Sequence, residues 1–350
     1  MLNPSKYLVN LLVLNFKNKQ MNALYPLKFS PIFKDKIWGG DKIRTRFNMD
    51  FSPLPNCGEA WIVSGYENNN TVVENGFLQG NELNELLEVY MGDLVGEANY
   101  ERFGNQFPIL VKILDSKDWL SIQVHPDDEL AQKRGYVGGK TEMWYILDAD
   151  SGSQLISGFS QSTNKETYTK LLKENKLQSI MNYETVKKGD CFYMPAGRVH
   201  ALGPGILLAE IQQTSDTTYR IFDWNRVDDK GQARELHLEE AMDAIDFEVH
   251  EKYRTDYKTI DNGTTSLVAT PFFTTNLLKL TQAIEKDYSW LDSFVIVLVT
   301  EGKVLIDYGD GKEELLAGEA LLVPAVIDHL RLYPEPKCTL LEVFIDPEEA

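Results

Sequence analysis

Two histidines, a glutamate and a glutamine are spaced along the chain as the ligands of one metal ion would be. Gln123 and His125 lie two residues apart in a strand-like run, and alternate residues of a strand face the same side. Glu142 follows 17 residues after His125, at the start of the next predicted strand, and His200 stands in a Gly–strand–Pro–Gly turn. Two imidazoles and two side-chain oxygens suit Zn²⁺, Mn²⁺, Co²⁺ or Fe²⁺ and leave a coordination position open for chemistry.

The elements that must position these residues are mostly short strands separated by turns. Taken singly, each histidine also fits a hydrogen-bonded turn or core residue, so the prediction of a metal site depends on the whole set lying on consecutive strands. Helical periodicity is confined to 81–90, extending towards 100, and to 165–175 and 238–245. The pattern predicts a mainly β architecture of barrels or jelly rolls with a few inserted helices. Strand-like runs occur at 108–114, 120–124, 143–147, 154–157, 191–194, 206–212, 294–300, 303–308, 321–323 and 339–344.

An internal repeat divides the chain. GDCFYMPAGRVH (189–200) and GEALLVPAVIDH (318–329) share a Gly-to-Pro spacing of six and a Pro-to-His spacing of five, and they lie 129 residues apart. Two unrelated Gly–strand–Pro turns would give the same pattern, but a separation of about one domain favours two related units. The polar stretch 250–266 marks the boundary between them. His329 has no Q-x-H partner upstream, so the second unit is predicted to lack a metal.

The composition restricts the function classes. The 53 acidic and 35 basic residues give a net charge of −18, which argues against binding to nucleic acid or to anionic membranes. Three cysteines without a CxxC pair argue against a disulfide framework and favour a reducing compartment. No segment reaches the roughly 18 apolar residues that span a bilayer. Residues 1–20 lack a cleavage-site pattern and are interpreted as a peripheral N-terminal extension before Met21.

Five segments, in order, carry a resemblance to known proteins. They are PLKFSPIFKDKIWGG (26–40), QVHPDDELA (123–131), GKTEMWYIL (139–147), MPAGRVHALGPG (194–205) and EIQQTSDTTYRIFDWNR (210–226). The turn around His200 is similar to the second cupin motif, G-x5-P-x-G-x2-H, and the whole set resembles the type I mannose-6-phosphate isomerases in their short bacterial form. The resemblance implies a double cupin of two jelly-roll β-barrels, with a catalytic metal-binding domain at 21–255 and a degenerate cupin without metal at 256–350.

The resemblance also implies a metal-dependent aldose–ketose isomerase of the cytoplasm, acting on a small sugar phosphate, with no nucleic-acid or membrane partner. The resemblance implies one divalent ion, with Zn²⁺ as the leading candidate and Mn²⁺ or Co²⁺ as alternatives. The family's active-site arginine falls on Arg220 and its motif lysine on Lys140. The family's K-P-E reads Lys140-Thr141-Glu142 here, a change that keeps both functional groups. The implied metal ligands are Gln123, His125, Glu142 and His200.

Such an isomerisation moves a proton between C1 and C2 through an enediolate. The developing charge needs electrostatic stabilisation, and the phosphate must be clamped so that C1 and C2 face the metal. Arg220 and Lys140 are the cationic candidates, with Arg198 as a third, although Arg220 also fits a surface salt bridge. Trp38 and Tyr219 are candidate substrate-binding residues that equally fit core aromatics. The base stays open among Lys140, a metal-bound water and an acidic residue such as Asp216.

Two other function classes remain. An Fe²⁺ cupin dioxygenase would prefer two histidines and one carboxylate with open positions for O₂, whereas Gln123 and the basic pair Arg220 and Lys140 fit a phosphosugar better. A non-catalytic sugar-binding double cupin would not need an open metal site. Metal analysis together with an assay on mannose 6-phosphate separates the three classes.

Overall fold

The structure, a computed structural model, describes residues 24–227 and 231–346, and strands predominate in it. The expectation for residues 1–20 lies outside the described residues. No described helix is both long enough and apolar enough to cross a membrane. The strands before residue 256 are β1 (Phe29–Ser30), β2 (Ile32–Lys34), β3 (Glu59–Val63), β4 (Gly65–Tyr66), β5 (Asn69–Asn70), β6 (Val72–Val73), β7 (Ile109–Ser116), β8 (Ile122–Val124), β9 (Glu142–Ala149), β10 (Gln154–Phe159), β11 (Met181–Thr185), β12 (Cys191–Met194), β13 (His200–Leu202), β14 (Ile206–Gln213), β15 (Tyr219–Phe222) and β16 (Arg254–Thr255).

The remaining strands belong to a second unit, and the helices are inserted between strands of the first. The strands are β17 (Thr264–Ala269), β18 (Thr274–Leu280), β19 (Ile284–Asp287), β20 (Val295–Asp307), β21 (Lys312–Leu316), β22 (Ala320–Val323) and β23 (His329–Phe344). The helices are α1 (Lys42–Phe47), α2 (Leu83–Tyr90), α3 (Gly92–Val95), α4 (Glu97–Phe103), α5 (Asp128–Lys133), α6 (Lys165–Lys173) and α7 (Leu238–Ala244), with a 3-10 helix at Leu177–Ile180. The mainly β architecture with inserted helices is therefore confirmed.

The helix predicted to run from 81 towards 100 is instead three short helices, α2, α3 and α4. Met91 and Gly96 interrupt it with φ angles of 48° and 93°, which a right-handed helix cannot contain. The apolar periodicity continues across both breaks because Leu86, Leu94 and Val95 all face the same core.

The first unit is a barrel of two antiparallel sheets. One sheet has the strand order β16-β12-β9-β14-β7-β3-β2 and the other β11-β10-β13-β8-β15. Side chains of β7 and β9 alternate between two cores, as the period of two along a strand requires. Leu114 and Trp144 face the barrel interior, whereas Ile113 and Met143 face the opposite way.

The second unit is a curled sheet of order β17-β18-β23-β20-β21, with β19 on β23 and β22 on β20. The chain leaves the first unit after β16 and enters the second at β17. Leu277 and Leu341 share one apolar core with Ile113 of the first unit, so the long sheets of the two units pack face to face. An isolated backbone pairing between Leu27 and Leu322 joins the start of the described chain to the second unit.

Candidate active site

The four predicted ligands come from strands of both sheets of the first barrel. Gln123 is in β8, and His125 directly follows that strand. His200, the first residue of β13, pairs directly with Gln123. Glu142 begins β9 in the facing sheet, so its carboxylate reaches the same point from across the barrel. One ligating atom from each of His125, Glu142 and His200 lies within 4.8 Å of the other two. The sheet pairing thus brings together the residues that the sequence spacing suggested.

The contacts within this group are short and buried. Glu142 Oε1 lies 3.3 Å from His200 Nε2, and Glu142 Oε2 lies 3.5 Å from His125 Nε2. The amide nitrogen of Gln123 lies 3.3 Å from His200 Nε2. Glu142 is 0% exposed, so water does not solvate its charge.

Both imidazoles are oriented by backbone carbonyl groups. His125 Nδ1 lies 2.8 Å from the carbonyl oxygen of Thr217, and His200 Nδ1 lies 2.8 Å from that of Arg198. A carbonyl oxygen only accepts hydrogen bonds, so each Nδ1 carries the proton and each Nε2 presents a lone pair to the centre. Burial lowers the pKa of both imidazoles, that of His200 to about 4, which keeps them neutral.

These residues fit a divalent metal ion. Glu142 Oε1 has no hydrogen-bond partner among the described residues, although a buried polar atom ordinarily has one. Two imidazole lone pairs and a carboxylate that point at one another are all acceptors, and a single cation would satisfy all of them at once. Lys140 Nζ, 3.0 Å from Glu142 Oε2 and 3.2 Å from His125 Nε2, is the neighbouring cation in this structure.

A cavity of about 260 Å³ opens beside the ligand group. It contains Gln123, Lys140, Arg220 and Trp38, which the sequence analysis singled out, together with Asp216, one of the candidates for the base. The complete lining is Lys36, Trp38, Glu59, Lys112, Leu114, Leu120, Ser121, Gln123, Lys140, Trp144, Glu210, Asp216, Thr218, Arg220 and Arg234.

Two predicted substrate-binding residues lie outside this lining. Tyr219 precedes Arg220 on β15 and therefore faces the other side of the sheet, where its ring packs under the guanidinium of Arg134 at 5.0 Å. The side chain of Arg198 turns away from the cavity and stacks on Tyr253 at 4.8 Å. Arg198 instead contributes through its backbone, whose carbonyl group orients His200.

A row of buried charges in the cavity wall was missed by the sequence analysis. Lys112 Nζ lies 3.4 Å from Glu210 Oε1 and 3.9 Å from Glu59 Oε2. Trp144 Nε1 donates to Glu210 over 2.9 Å, and Trp61 Nε1 donates to Glu59 over 2.8 Å. The sequence does contain a signal for this row, because Lys112 and Glu210 are the single charged residues in two otherwise apolar strand segments, PILVKIL and GILLAEI.

The carboxylates around Lys140 stabilise its charge. Burial alone lowers the pKa of Lys140, but Glu142, Glu210 and Asp216 outweigh burial and raise it. Glu210 itself has a raised pKa because it is buried and faces Glu142. Cations and anions thus alternate across the cavity wall, where they can hold a polar substrate by several hydrogen bonds.

The second unit has no comparable group in the part of the chain that the structure describes. His329, the repeat counterpart of His200, has a side chain that is 71% exposed and lies 3.5 Å from Asp287.

Comparison with known proteins gives a consistent result. Residues 26–180 match the family model of the type I phosphomannose isomerase catalytic domain. A mannose-6-phosphate isomerase of Streptococcus mutans is 35% identical over 307 residues, which cover 86% of this chain and 93% of the relative. The isomerase ManA of Bacillus subtilis is 35% identical over 320 residues, or 89% and 97% of the two chains. The crystal structure of the mannose 6-phosphate isomerase of Bacillus subtilis superposes with a TM-score of 0.82 at 32% identity, covering 91% of this chain and 99% of that one.

Proposed function

The chain belongs to the type I phosphomannose isomerase family, and from this premise we propose that its cavity interconverts mannose 6-phosphate and fructose 6-phosphate. The observation that carries the proposal is the convergence of His125, Glu142 and His200 on one point of a cavity that also contains Lys140 and Arg220. The fold is the double cupin of this family, two β-barrel units of which the first contains the site.

We propose that Gln123, His125, Glu142 and His200 hold one divalent ion, Zn²⁺ first, with Mn²⁺ or Co²⁺ able to replace it. When bound, this ion supplies Lewis-acid stabilisation of the negative charge that develops on the substrate oxygens at C1 and C2. Gln123 supports an isomerase over an iron dioxygenase, because it adds a fourth donor to the two histidines and one carboxylate of the oxygenase pattern.

Lys140 and Arg220 act on the substrate from the same cavity. Lys140 Nζ, 3.0 Å from Glu142 Oε2, is placed to neutralise charge next to the reacting carbons. Arg220 is the cross-strand neighbour of Gln123 and lines the same cavity. Trp38 contributes an apolar wall.

The proton is carried by a group that lines the cavity. Lys140 and Asp216 both do so, and a metal-bound water would also lie within the cavity. A carboxylate or amine held within hydrogen-bond reach of C1 and C2 is the geometric requirement for this role.

We place the reaction in the cytoplasm. The three cysteines, Cys57, Cys191 and Cys338, are unpaired and buried, which fits a reducing compartment.

The experiment is an assay of the purified, metal-loaded protein on mannose 6-phosphate. We expect fructose 6-phosphate to form, with turnover lost on chelation and regained on adding Zn²⁺. The same preparation supplied with unphosphorylated mannose is the control and should turn over far more slowly. Failure of the metal-loaded protein to form fructose 6-phosphate would overturn the proposal.

A further inference from the structure

Three arginines meet where β15 leaves the cavity. Arg220 is on β15, and Arg226 and Arg234 lie in the segment that follows it. Arg234 Nε donates to Asp223 Oδ2 over 2.7 Å, and the Arg226 guanidinium donates to Asp223 Oδ1 over 2.6 Å. Asp223 is 6% exposed, so one buried carboxylate holds two arginines side by side.

Arg220 and Arg234 face the same cavity, whereas Arg226 does not line it. The Arg220 guanidinium donates to the backbone carbonyl of Glu235 over 2.8 Å, next to Arg234 in the chain. Its Nε is buried and has no hydrogen-bond partner in the described ranges. Burial lowers the pKa of Arg220, and the charge of Arg234 lowers it further. Two guanidinium groups therefore face the cavity with Asp223 as their shared neighbouring anion.

The backbone that carries Asp223 is held in an uncommon conformation. Trp224 and Asn225 both have a φ of 56°, in the left-handed region that residues other than glycine rarely occupy. Trp224 Nε1 donates to the carbonyl oxygen of Leu120 over 2.7 Å, which anchors the turn to the segment just before β8. Such a turn persists only when its surroundings enforce it, and its effect here is to fix the carboxylate that orients Arg234.

We infer that Arg234 is a substrate-binding residue that, together with Arg220, binds the phosphate of the sugar phosphate. Arg234 donates to Asp223 through Nε and Nη2, and a guanidinium has five N–H donors, so Arg234 can also donate to phosphate oxygens. A phosphomonoester dianion would add negative charge beside Arg220 and Arg234, whose neighbouring carboxylate, Asp223, is also paired with Arg226. A protein of net charge −18 repels an anion at long range, except where nearby cations outweigh the negative charge of the other residues. Arg220 and Arg234 supply such a local positive charge in the cavity. The inference rests on the proposed function for the identity of the anion.

Arg234→Gln and its matched control Arg226→Gln test the inference. Each variant removes one arginine from Asp223, but only Arg234 faces the cavity. For Arg234→Gln we expect KM for mannose 6-phosphate to rise about 10- to 100-fold, the effect of losing a charge-assisted pair of hydrogen bonds, with kcat changed much less. Arg226→Gln should leave KM close to the wild-type value. Arg234→Lys, which keeps the charge and loses the fork, should fall between wild type and Arg234→Gln.

A second measurement does not depend on turnover. Calorimetric titration with inorganic phosphate should show an affinity that falls in Arg234→Gln by a factor similar to its rise in KM and is unchanged in Arg226→Gln. Equal losses in both variants would show that Arg234 acts only through Asp223, and unchanged phosphate affinity and KM in Arg234→Gln would overturn the inference. If the wild-type protein binds phosphate through Arg234 but does not isomerise mannose 6-phosphate, the proposed function fails while the phosphate site stands.

Discussion

At the scale of single residues, the chemistry depends on which atoms face the centre of the site. The carbonyl groups of Thr217 and Arg198 hold the Nδ1 proton of the two histidines, and this leaves both Nε2 atoms free to act as the proposed metal ligands. Glu142 is oriented by Lys140, whose Nζ lies 3.0 Å away. Substitution of a cation that orients a metal ligand should lower metal content, whereas substitution of a cation that binds substrate should change the kinetics. A variant of Arg220 tests the second role.

Arg220→Lys keeps the positive charge and loses the planar fork. We expect kcat/KM to fall about 100- to 1000-fold, because Arg220 acts on the charged substrate in the transition state as well as in binding. The bound metal should remain, since the Arg220 guanidinium bonds to the carbonyl of Glu235 and to none of the proposed ligands. Steady-state kinetics and metal analysis of the same preparation check this. Near-normal kinetics would leave Arg220 with a structural role through its bond to the Glu235 carbonyl, and loss of the metal would assign it to support of the proposed ligands.

Sequence reasoning suggested the proposed ligands but missed much of the cavity wall, and the reason is physical. Gln123 and His125 are two residues apart, and strand periodicity alone puts them on one face. Lys112 and Glu210 become neighbours only through the pairing of β7 with β14, which joins residues nearly a hundred positions apart. Tyr219 was a candidate substrate-binding residue, but it lies outside the lining of the cavity because alternation along β15 turns it to the other face.

At the scale of elements, the pairing of β3, β7 and β14 builds the charged row beneath the cavity. Lys112 pairs across the sheet with Trp61 on one side and Glu210 on the other. Burial raises the pKa of Glu59, but Lys112 and then Lys36 outweigh burial and lower it to about 2. A carboxylate with a lowered pKa stabilises the fold above its unfolded-state pKa of roughly 4.3, and this contribution is lost as the pH falls towards 2.

Lys112→Met should destabilise the protein, because it leaves Glu59 and Glu210 buried with one cation fewer. Breaking a buried ion pair on one side costs about 3–5 kcal/mol, and urea unfolding at pH 7 should show a loss of that order. The difference from wild type should shrink as the pH falls from about 4.5 towards 2, since protonation removes the unpaired charge. Lys112→Arg, which keeps a cation, is the control and should lose less stability. Unchanged unfolding free energy in Lys112→Met would contradict this role.

Element boundaries were the other place where sequence patterns fell short. Apolar periodicity predicted one helix from 81 towards 100, but the positive φ of Met91 and Gly96 divides it into α2, α3 and α4. Apolar periodicity indicates which face of a helix is buried. It does not reveal an interruption of the helix when the apolar side chains on both sides of the interruption still pack on the same core.

At the scale of the whole molecule, the two barrel units are joined by a common core. Ile113 and Met143 of the first unit and Leu341 and Val343 of the second belong to one buried cluster. The repeat in the sequence indicated two related units. It did not indicate that the outward face of the long sheet in each unit is covered by the long sheet of the other unit. We therefore propose that the units predicted at 21–255 and 256–350 depend on each other for burial of this shared core.

Separate expression of residues 21–255 and 256–350 should give aggregated protein, because each half would expose the apolar face that its partner covers. Co-expression of the two halves should recover soluble material that co-purifies as a pair. Size-exclusion chromatography of each half alone and of the pair measures this. A monomeric, cooperatively folding 21–255 fragment would show that the second unit is dispensable for the fold of the first.

The most direct test of the account compares His200→Ala with His329→Ala. We propose that one divalent ion, bound by Gln123, His125, Glu142 and His200, makes the first barrel catalytic. His329, the exposed repeat counterpart of His200, has no such role in this proposal. Elemental analysis and the mannose 6-phosphate assay on the same preparations should show His200→Ala without metal and without turnover, and His329→Ala with one equivalent of metal and wild-type turnover. Stoichiometric metal retained in a folded His200→Ala protein, or its loss in His329→Ala, would contradict the account.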